Sequence, residues 1–178
     1  MRRLRYNIAA SLDGFIASPN GATDWIVEDE SIDFVKLYAE FDMFVMGRKT
    51  YETLLDMGEQ NPLRGKRREE MAIVSSGMRA EEHPEVTLVK EDVVRYVADL
   101  KAKDGRDIWL FGGGKLARCL LEAELVDTIE VAIMPVLLGE GVKMICDGSA
   151  NEWRLKLRGI EKLKSGILMC EYDVVYSS

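Results

Sequence analysis

The 178-residue sequence holds one histidine and three cysteines, has no excess of basic charge, and has no apolar run of membrane-spanning length. One imidazole excludes a His-cluster metal site. His83-Pro84-Glu85 fits the H-x-E half of a zinc deaminase signature, but no Pro-Cys follows anywhere, and a solvated His83 in a Glu-rich loop is the simpler reading. Cys119, Cys146 and Cys170 are far apart and outside any C-x-x-C spacing. This argues against a disulfide framework or structural zinc and fits a reducing compartment. Lys and Arg number 24 against 31 Asp and Glu, a net charge of −7, which excludes non-specific nucleic-acid binding through many phosphate contacts. The N-terminal apolar stretch is broken by Asn7, Ser11 and Asp13 before it reaches signal-peptide length. A cytoplasmic protein with no metal, no membrane and no nucleic-acid partner is expected.

What is present is a core. Hydrophobic residues make up 47% of the chain, and no repeat, low-complexity tract or linker divides it, so one domain over residues 1–178 is expected. Leu4 to Ala10 reads as a buried strand, followed by a long polar connection from Ser11 to about Glu28, a length typical of lids and binding loops. Ser31 to Glu40 has helical spacing, Met43–Met46 and Met71–Val74 are strand-like, and a helix starts at Gly47-Arg48. Val86–Val89 is another strand, Val93–Lys101 a helix, Asp107–Phe111 a strand and Lys115–Glu124 a helix. Strands alternating with helices predict an α/β fold with a mostly parallel sheet. Thr128–Met134, Trp153–Leu163 and Ile167–Tyr176 are strand-like with no helix between them, and Ser165-Gly166 supplies a turn, so the sheet ends in an antiparallel hairpin.

Two glycine-containing strand-to-helix turns stand out. One is Gly47-Arg48-Lys49-Thr50 and the other Gly112-Gly113-Gly114-Lys115-Leu116. Glycine lets the main chain approach a ligand, and the free N–H groups at a helix start attract an anion. Each turn alone reads equally well as packing; two in one small sheet point to one ligand with several phosphates. The strand ending at Val74 leads into Ser75-Ser76-Gly77-Met78-Arg79, which offers hydroxyls and a cation, with Glu81 and Glu82 farther along the loop as opposing charges.

These turns, taken with Ser11-Leu-Asp-Gly-Phe-Ile-Ala17, Met46-Gly-Arg-Lys-Thr-Tyr-Glu52, Ile73-Val-Ser-Ser76, Leu120-Leu-Glu-Ala-Glu-Leu-Val-Asp127 and Pro135-Val-Leu-Leu-Gly139, resemble the dihydrofolate reductase superfamily. Within it the chain is most similar to the reductase domain of the bacterial riboflavin-biosynthesis deaminase–reductase. The resemblance runs in order over nearly the whole chain and implies a three-layer dihydrofolate reductase-like domain, an NADPH cofactor, a small heterocyclic substrate and a homodimer. It places the Gly47 and Gly112 turns at the phosphates and nicotinamide and the Ser75–Arg79 turn at the adenosine end, where donors suit a 2′-phosphate. It also implies a cis Gly112–Gly113 peptide.

A riboflavin-pathway ribosylaminopyrimidine is the substrate that the resemblance favours, with a dihydropterin reductase or a catalytically silent NADPH-binding dimer as alternatives. Folate reductases need a carboxylic acid early in the first helix; Asp33 lies in that region, with a helix-dipole role as its plainer reading. Asp13 follows a buried strand at the loop bordering the nicotinamide and is a candidate to bind substrate or deliver a proton, or else to form a tight corner with Gly14. Asp24 and Trp25 in the preceding loop are substrate-binding candidates, Trp25 by stacking on a flat ring or, alternatively, as a core plug. The apolar run Val131–Leu138 is expected to furnish a two-fold interface.

Overall fold

The computed structural model describes residues 1–148 and 152–176. Its strands are β1 (Leu4–Ser11), β2 (Phe15–Ala17), β3 (Phe41–Gly47), β4 (Met71–Val74), β5 (Thr87–Val89), β6 (Asp107–Gly112), β7 (Thr128–Met134), β8 (Val142–Lys143), β9 (Arg154–Lys162) and β10 (Leu168–Val175). Its helices are α1 (Phe34–Ala39), α2 (Arg48–Asp56), α3 (Val93–Ala102) and α4 (Gly114–Glu122). Eight strands form one sheet in the order β5-β4-β3-β6-β1-β7-β10-β9, parallel from β5 to β7 and antiparallel through β10 and β9. The expected fold class holds: a mostly parallel sheet that finishes antiparallel.

Period-two alternation sorts the strand residues between two helical layers. Leu4 and Tyr6 of β1, Val45 of β3 and Ile108 and Leu110 of β6 pack with Val97 and Leu100 of α3 and Leu116, Leu120 and Leu121 of α4. Phe44 and Met46 of β3, Ile73 of β4 and Trp109 of β6 face the other way, against Leu37 and Tyr38 of α1 and Tyr51 and Leu54 of α2. The α1 helix is shorter than its spacing predicts because Asp33 caps it, its carboxylate accepting the Lys36 N–H at 2.9 Å.

Half of the run Val131–Leu138, as far as Met134, lies in β7, hydrogen-bonded between β1 and β10, with Val131 and Met134 buried, while Leu137 beyond the strand is exposed. A strand paired on both edges and covered on both faces carries a continuous apolar run for its own core. Besides Leu137, the edge strand β9 exposes aliphatic side chains at Leu155, Leu157 and Ile160. No helix is long and apolar enough to cross a membrane among the described residues.

Candidate active site

The two glycine turns meet. Gly47 ends β3 and Gly112 ends β6, the strands are neighbours, and Met46 pairs with Gly112. A Cβ placed on Gly47 would lie 3.8 Å from the carbonyl oxygen of Gly112 and 3.9 Å from the nitrogen of Gly113. One on Gly113 would lie 3.8 Å from Oγ1 of Thr50 and 3.9 Å from Cδ1 of Ile16. The Gly112–Gly113 peptide is cis, and Gly112 has φ +103°, a left-handed conformation suited to glycine. The α2 and α4 helices therefore begin side by side, with glycines at both N-caps and no side-chain cap. Their first-turn N–H groups and dipole ends converge on one rim.

One strand farther out, Gly47 pairs with Val74, so Ser75 and Ser76 continue the same row of strand ends. From Gly112 to this turn is two strand spacings, about 10 Å. The Ser75 hydroxyl accepts the N–H groups of Gly77 at 3.3 Å and Met78 at 3.2 Å, which closes the turn, while Ser76 is exposed. Arg79 pairs with Glu82 on the same loop. Arg48 lies 3.4 Å from Glu52 along α2, Lys49 and Lys115 are exposed, and Leu116 is buried in the core.

Beside the glycines the sheet opens. The β1–β6 ladder stops at Tyr6↔Leu110, although β1 stays paired with β7 as far as Ser11↔Met134. The Trp109 indole N–H fills the first carbonyl beyond the ladder, that of Asn7, at 2.9 Å. The alternation that turns the carbonyls of Arg3 and Asn7 toward β6 also turns the N–H and carbonyl of Ala9 into the gap. On the α1/α2 face, Asn7, Ala9, Phe111 and Ala132 are only half-buried, in strands at the middle of the sheet where full burial is the rule. They floor a cleft. Trp25, half-buried, packs against the cluster of Met134, Leu163 and Ile167 with its indole N–H unpartnered among the described residues. Asp24 beside it is exposed.

The loops that close the rim are fastened to each other. Asp13 accepts the Ser11 hydroxyl at 2.6 Å and the N–H groups of Leu138 at 3.1 Å and Gly139 at 2.7 Å. These bonds hold its carboxyl down at about 2, the Ser11 hydroxyl contributing most. The expectation that Asp13 delivers a proton gives way: an ionised carboxylate acting as acceptor for three donors is a fastener. Gly14 closes its corner through the main chain, its N–H donating to the Ser11 carbonyl at 2.9 Å. The residues after Gly139 cross back over the rim, where Met144 N–H donates to Gly14 at 2.9 Å, Cys146 N–H to Gly114 at 3.3 Å, and the Tyr6 hydroxyl to Met144 at 2.8 Å. Burial pushes the Tyr6 phenol up, so it stays a donor. Asp33 caps α1 with an exposed carboxylate, the plainer of its two roles.

Sequence reasoning missed a polar group under the cleft. Arg5 of β1 and Glu130 of β7, 7% and 8% exposed, form a two-pronged pair at 2.6 and 2.7 Å. Asn7 and Thr128 also donate to Glu130, at 3.0 and 2.9 Å, and Arg5 reaches Glu40 at 2.5 Å. Burial pulls the Arg5 guanidinium down, but its carboxylate partners outweigh this and raise it. The signal was present: Arg5 and Asn7 interrupt an apolar strand at a spacing of two. Among the described residues, no three His, Cys, Asp or Glu side chains are placed to hold a metal ion.

The profile of the RibD C-terminal domain matches residues 2–169. The chain belongs to that family. YyaP, an uncharacterised protein of Bacillus subtilis (strain 168), is 28% identical over 178 residues, spanning 96% of this chain and 94% of its own. The riboflavin biosynthesis protein RibD of Corynebacterium ammoniagenes is 28% identical over 160 residues, covering 80% of this chain but only 46% of RibD. A solved structure from Shewanella sp. PV-4, provisionally assigned to riboflavin biosynthesis, superposes with a TM-score of 0.82 at 27% identity and covers 99% of this chain and 100% of that one.

Proposed function

We propose that this member of the RibD C-terminal domain family is an NADPH-dependent reductase of a small heterocycle, with a riboflavin-pathway ribosylaminopyrimidine, 5-amino-6-(5-phosphoribosylamino)uracil, as its substrate class. The observation that carries the reading is the junction of the Gly47 and Gly112–Gly113 turns at the mouth of the β1–β6 gap. The residues there fit a dinucleotide. The starts of α2 and α4 suit its diphosphate, and Arg48, Lys49 and Lys115 lie within the first turns of those helices. Ala9 offers a main-chain N–H and carbonyl side by side, complementary to the carboxamide of a nicotinamide.

NADPH, when bound, supplies the hydride. The chain's own part is orientation and exclusion of water. Thr50, Ile16 and Gly113 bound the rim, and Asp13 fixes the Leu138–Gly139 turn across it. A heterocycle seated on Asn7, Ala9 and Phe111 lies beside the gap and presents a C=O or C=N carbon to it. The accompanying proton comes from water at the cleft mouth, since Asp13 is held ionised and Asp33 is engaged as a cap.

NADPH absorbance followed with the ribosylaminopyrimidine and with a dihydropterin tests the reading. Consumption with the first supports it and consumption with the second alone moves the substrate class. NADPH binding with no consumption by either makes the chain a silent binding protein. A homodimer is proposed as well, supported by the exposed Leu155, Leu157 and Ile160 on β9. Sedimentation showing only monomer at micromolar concentration overturns it.

A further inference from the structure

We infer that Asn7 reads the substrate ring and selects a lactam edge, an N–H next to a C=O. The inference rests on the reductase reading for the place of the substrate and deepens it by naming the residue that chooses the ring. Glu130 receives four donors: Arg5 Nε at 2.6 Å and Thr128 Oγ1 at 2.9 Å on Oε1, and Arg5 Nη2 at 2.7 Å and Asn7 Nδ2 at 3.0 Å on Oε2. An ionised carboxylate has about four acceptor positions and no donor. Glu130 is thus saturated, and it fixes which way the Asn7 amide points. Only the amide nitrogen can face Glu130, which leaves the carbonyl oxygen and the second N–H without a partner among the described residues.

Asn7 is half-buried and is the first residue of β1 beyond its last pairing with β6, on the same face as Ala9. Residues two apart on a strand are about 6.6 Å apart, the span of a small heterocycle. A ring over Ala9 reaches Asn7 with its far edge. A carboxamide with a free C=O and a free N–H pairs twice with a lactam, whose N–H and C=O run in the complementary order. A ring alkylated at nitrogen loses a donor, leaving the Asn7 oxygen unpaired in a desolvated site, and is rejected. Arg5 and Thr128 are positioning residues: they hold Glu130, which holds Asn7.

The test uses the full chain, with 5,6-diaminouracil and its 1,3-dimethyl derivative as probes. Dissociation constants are measured by calorimetry with and without NADPH, next to a thermal melt. The wild-type protein is expected to bind diaminouracil at least about thirtyfold more tightly than the dimethyl compound. Asn7→Leu should weaken diaminouracil binding by roughly ten- to a hundredfold, leave the dimethyl compound and NADPH unchanged, and so erase the preference. Asn7→Ala carries the same expectation without added bulk. In Glu130→Gln the Asn7 amide is free to turn over, and the preference should fall although Asn7 itself is intact.

Equal binding of the two probes by the wild type, no binding of diaminouracil, or an unchanged preference in folded Asn7→Ala each overturns the inference. If the preference is present and Asn7-dependent while NADPH does not bind, the reductase reading falls and the inference stands. If NADPH is consumed with a heterocycle that lacks a lactam, the reverse holds.

Discussion

Gly139 donates its N–H to Oδ2 of Asp13 at 2.7 Å, a bond between the loop after β1 and the turn after β7. With Leu138 on the same carboxylate, this contact sets the height of the cleft rim. The carboxyl is held at about 2 against an ordinary 3.8. A group whose folded value is depressed contributes stability that is fully present above its unfolded value and is lost as pH falls through the folded one. Protection of the Leu138 and Gly139 amide hydrogens, measured against their intrinsic exchange, is therefore expected to fall between about pH 4 and pH 2, ahead of global unfolding. Asp13→Ala should show the lowered protection at neutral pH, with turnover lowered about tenfold or more by the displaced rim. Asp13→Asn keeps an acceptor oxygen and should fall between. Unchanged exchange in Asp13→Ala would refute the fastening role.

The glycines separate into those the fold needs and those a ligand needs. A methyl on Gly114 would overlap the Lys143 carbonyl oxygen and come within 3.1 Å of Cys146 N and Met144 O, so α4 and the crossing segment would have to part. Gly114→Ala should destabilise the protein by about 1–3 kcal/mol in urea unfolding. A methyl on Gly47 has ordinary contacts, 3.8 Å to the nearest atom, at a φ of −80° that alanine accepts. Gly47→Ala should change stability by less than about 1 kcal/mol. Its methyl projects toward the junction with Gly112, where a dinucleotide must approach, so NADPH affinity should drop at least about tenfold. Loss of stability in Gly47→Ala with unchanged NADPH binding would make the turn a packing element.

The fold was legible because its signals are local. Alternating strands and helices, glycine at the ends of β3 and β6, and the hairpin at Ser165-Gly166 can each be read within a dozen residues. The row of Gly112, Gly47 and Ser75 followed from having those strands parallel. Two settings stayed out of reach of the sequence for one reason. The role of Asp13 depends on Leu138 and Gly139, 125 and 126 positions away, and the setting of Val131–Leu138 depends on pairing with β1 and β10. Hydrophobic length alone does not separate a central strand from an exposed one. The Arg5–Glu130–Asn7 group went unread because β1 and β7 become neighbours only in the sheet.

Cofactor preference turns on a contest within one loop. Arg79 is paired with Glu82 and lies beyond the Ser75–Ser76 turn, at the end of the row away from Gly112. If that turn takes a 2′-phosphate, Arg79→Ala or Ser76→Ala should weaken NADPH roughly ten- to a hundredfold and leave NADH nearly unchanged. Glu82→Gln releases Arg79 and should strengthen NADPH binding by a few-fold. Arg48→Ala, at the start of α2, should weaken both cofactors alike because the diphosphate is common to them. Calorimetry of the four variants with both cofactors decides the matter, and equal binding of the two by the unmodified protein removes the assignment of this turn.

The last expectation concerns the buried pair under the cleft. Arg5 is 7% exposed and Glu130 8%, so neither charge can be left alone without the cost of an uncompensated ion in a medium that solvates it poorly. Arg5→Leu strips Glu130 of two of its four donors, at 2.6 and 2.7 Å, and also takes from Glu40 its partner at 2.5 Å. Destabilisation of about 3–5 kcal/mol is expected in urea unfolding at neutral pH. Glu130→Leu should lose a similar amount, since Arg5 keeps only Glu40, Asp107 at 3.4 Å and the Phe41 ring, 4.5 Å from its guanidinium carbon. Removing both charges at once should recover most of the loss, because no ion is then left to solvate in the buried space. The recovered double variant is also the sharper probe of function: with Glu130 gone nothing directs the Asn7 amide, so stability should return while preference among ring substrates does not. Additive losses in the double variant would mean that the pair is not coupled and that each side chain stabilises the sheet through separate contacts.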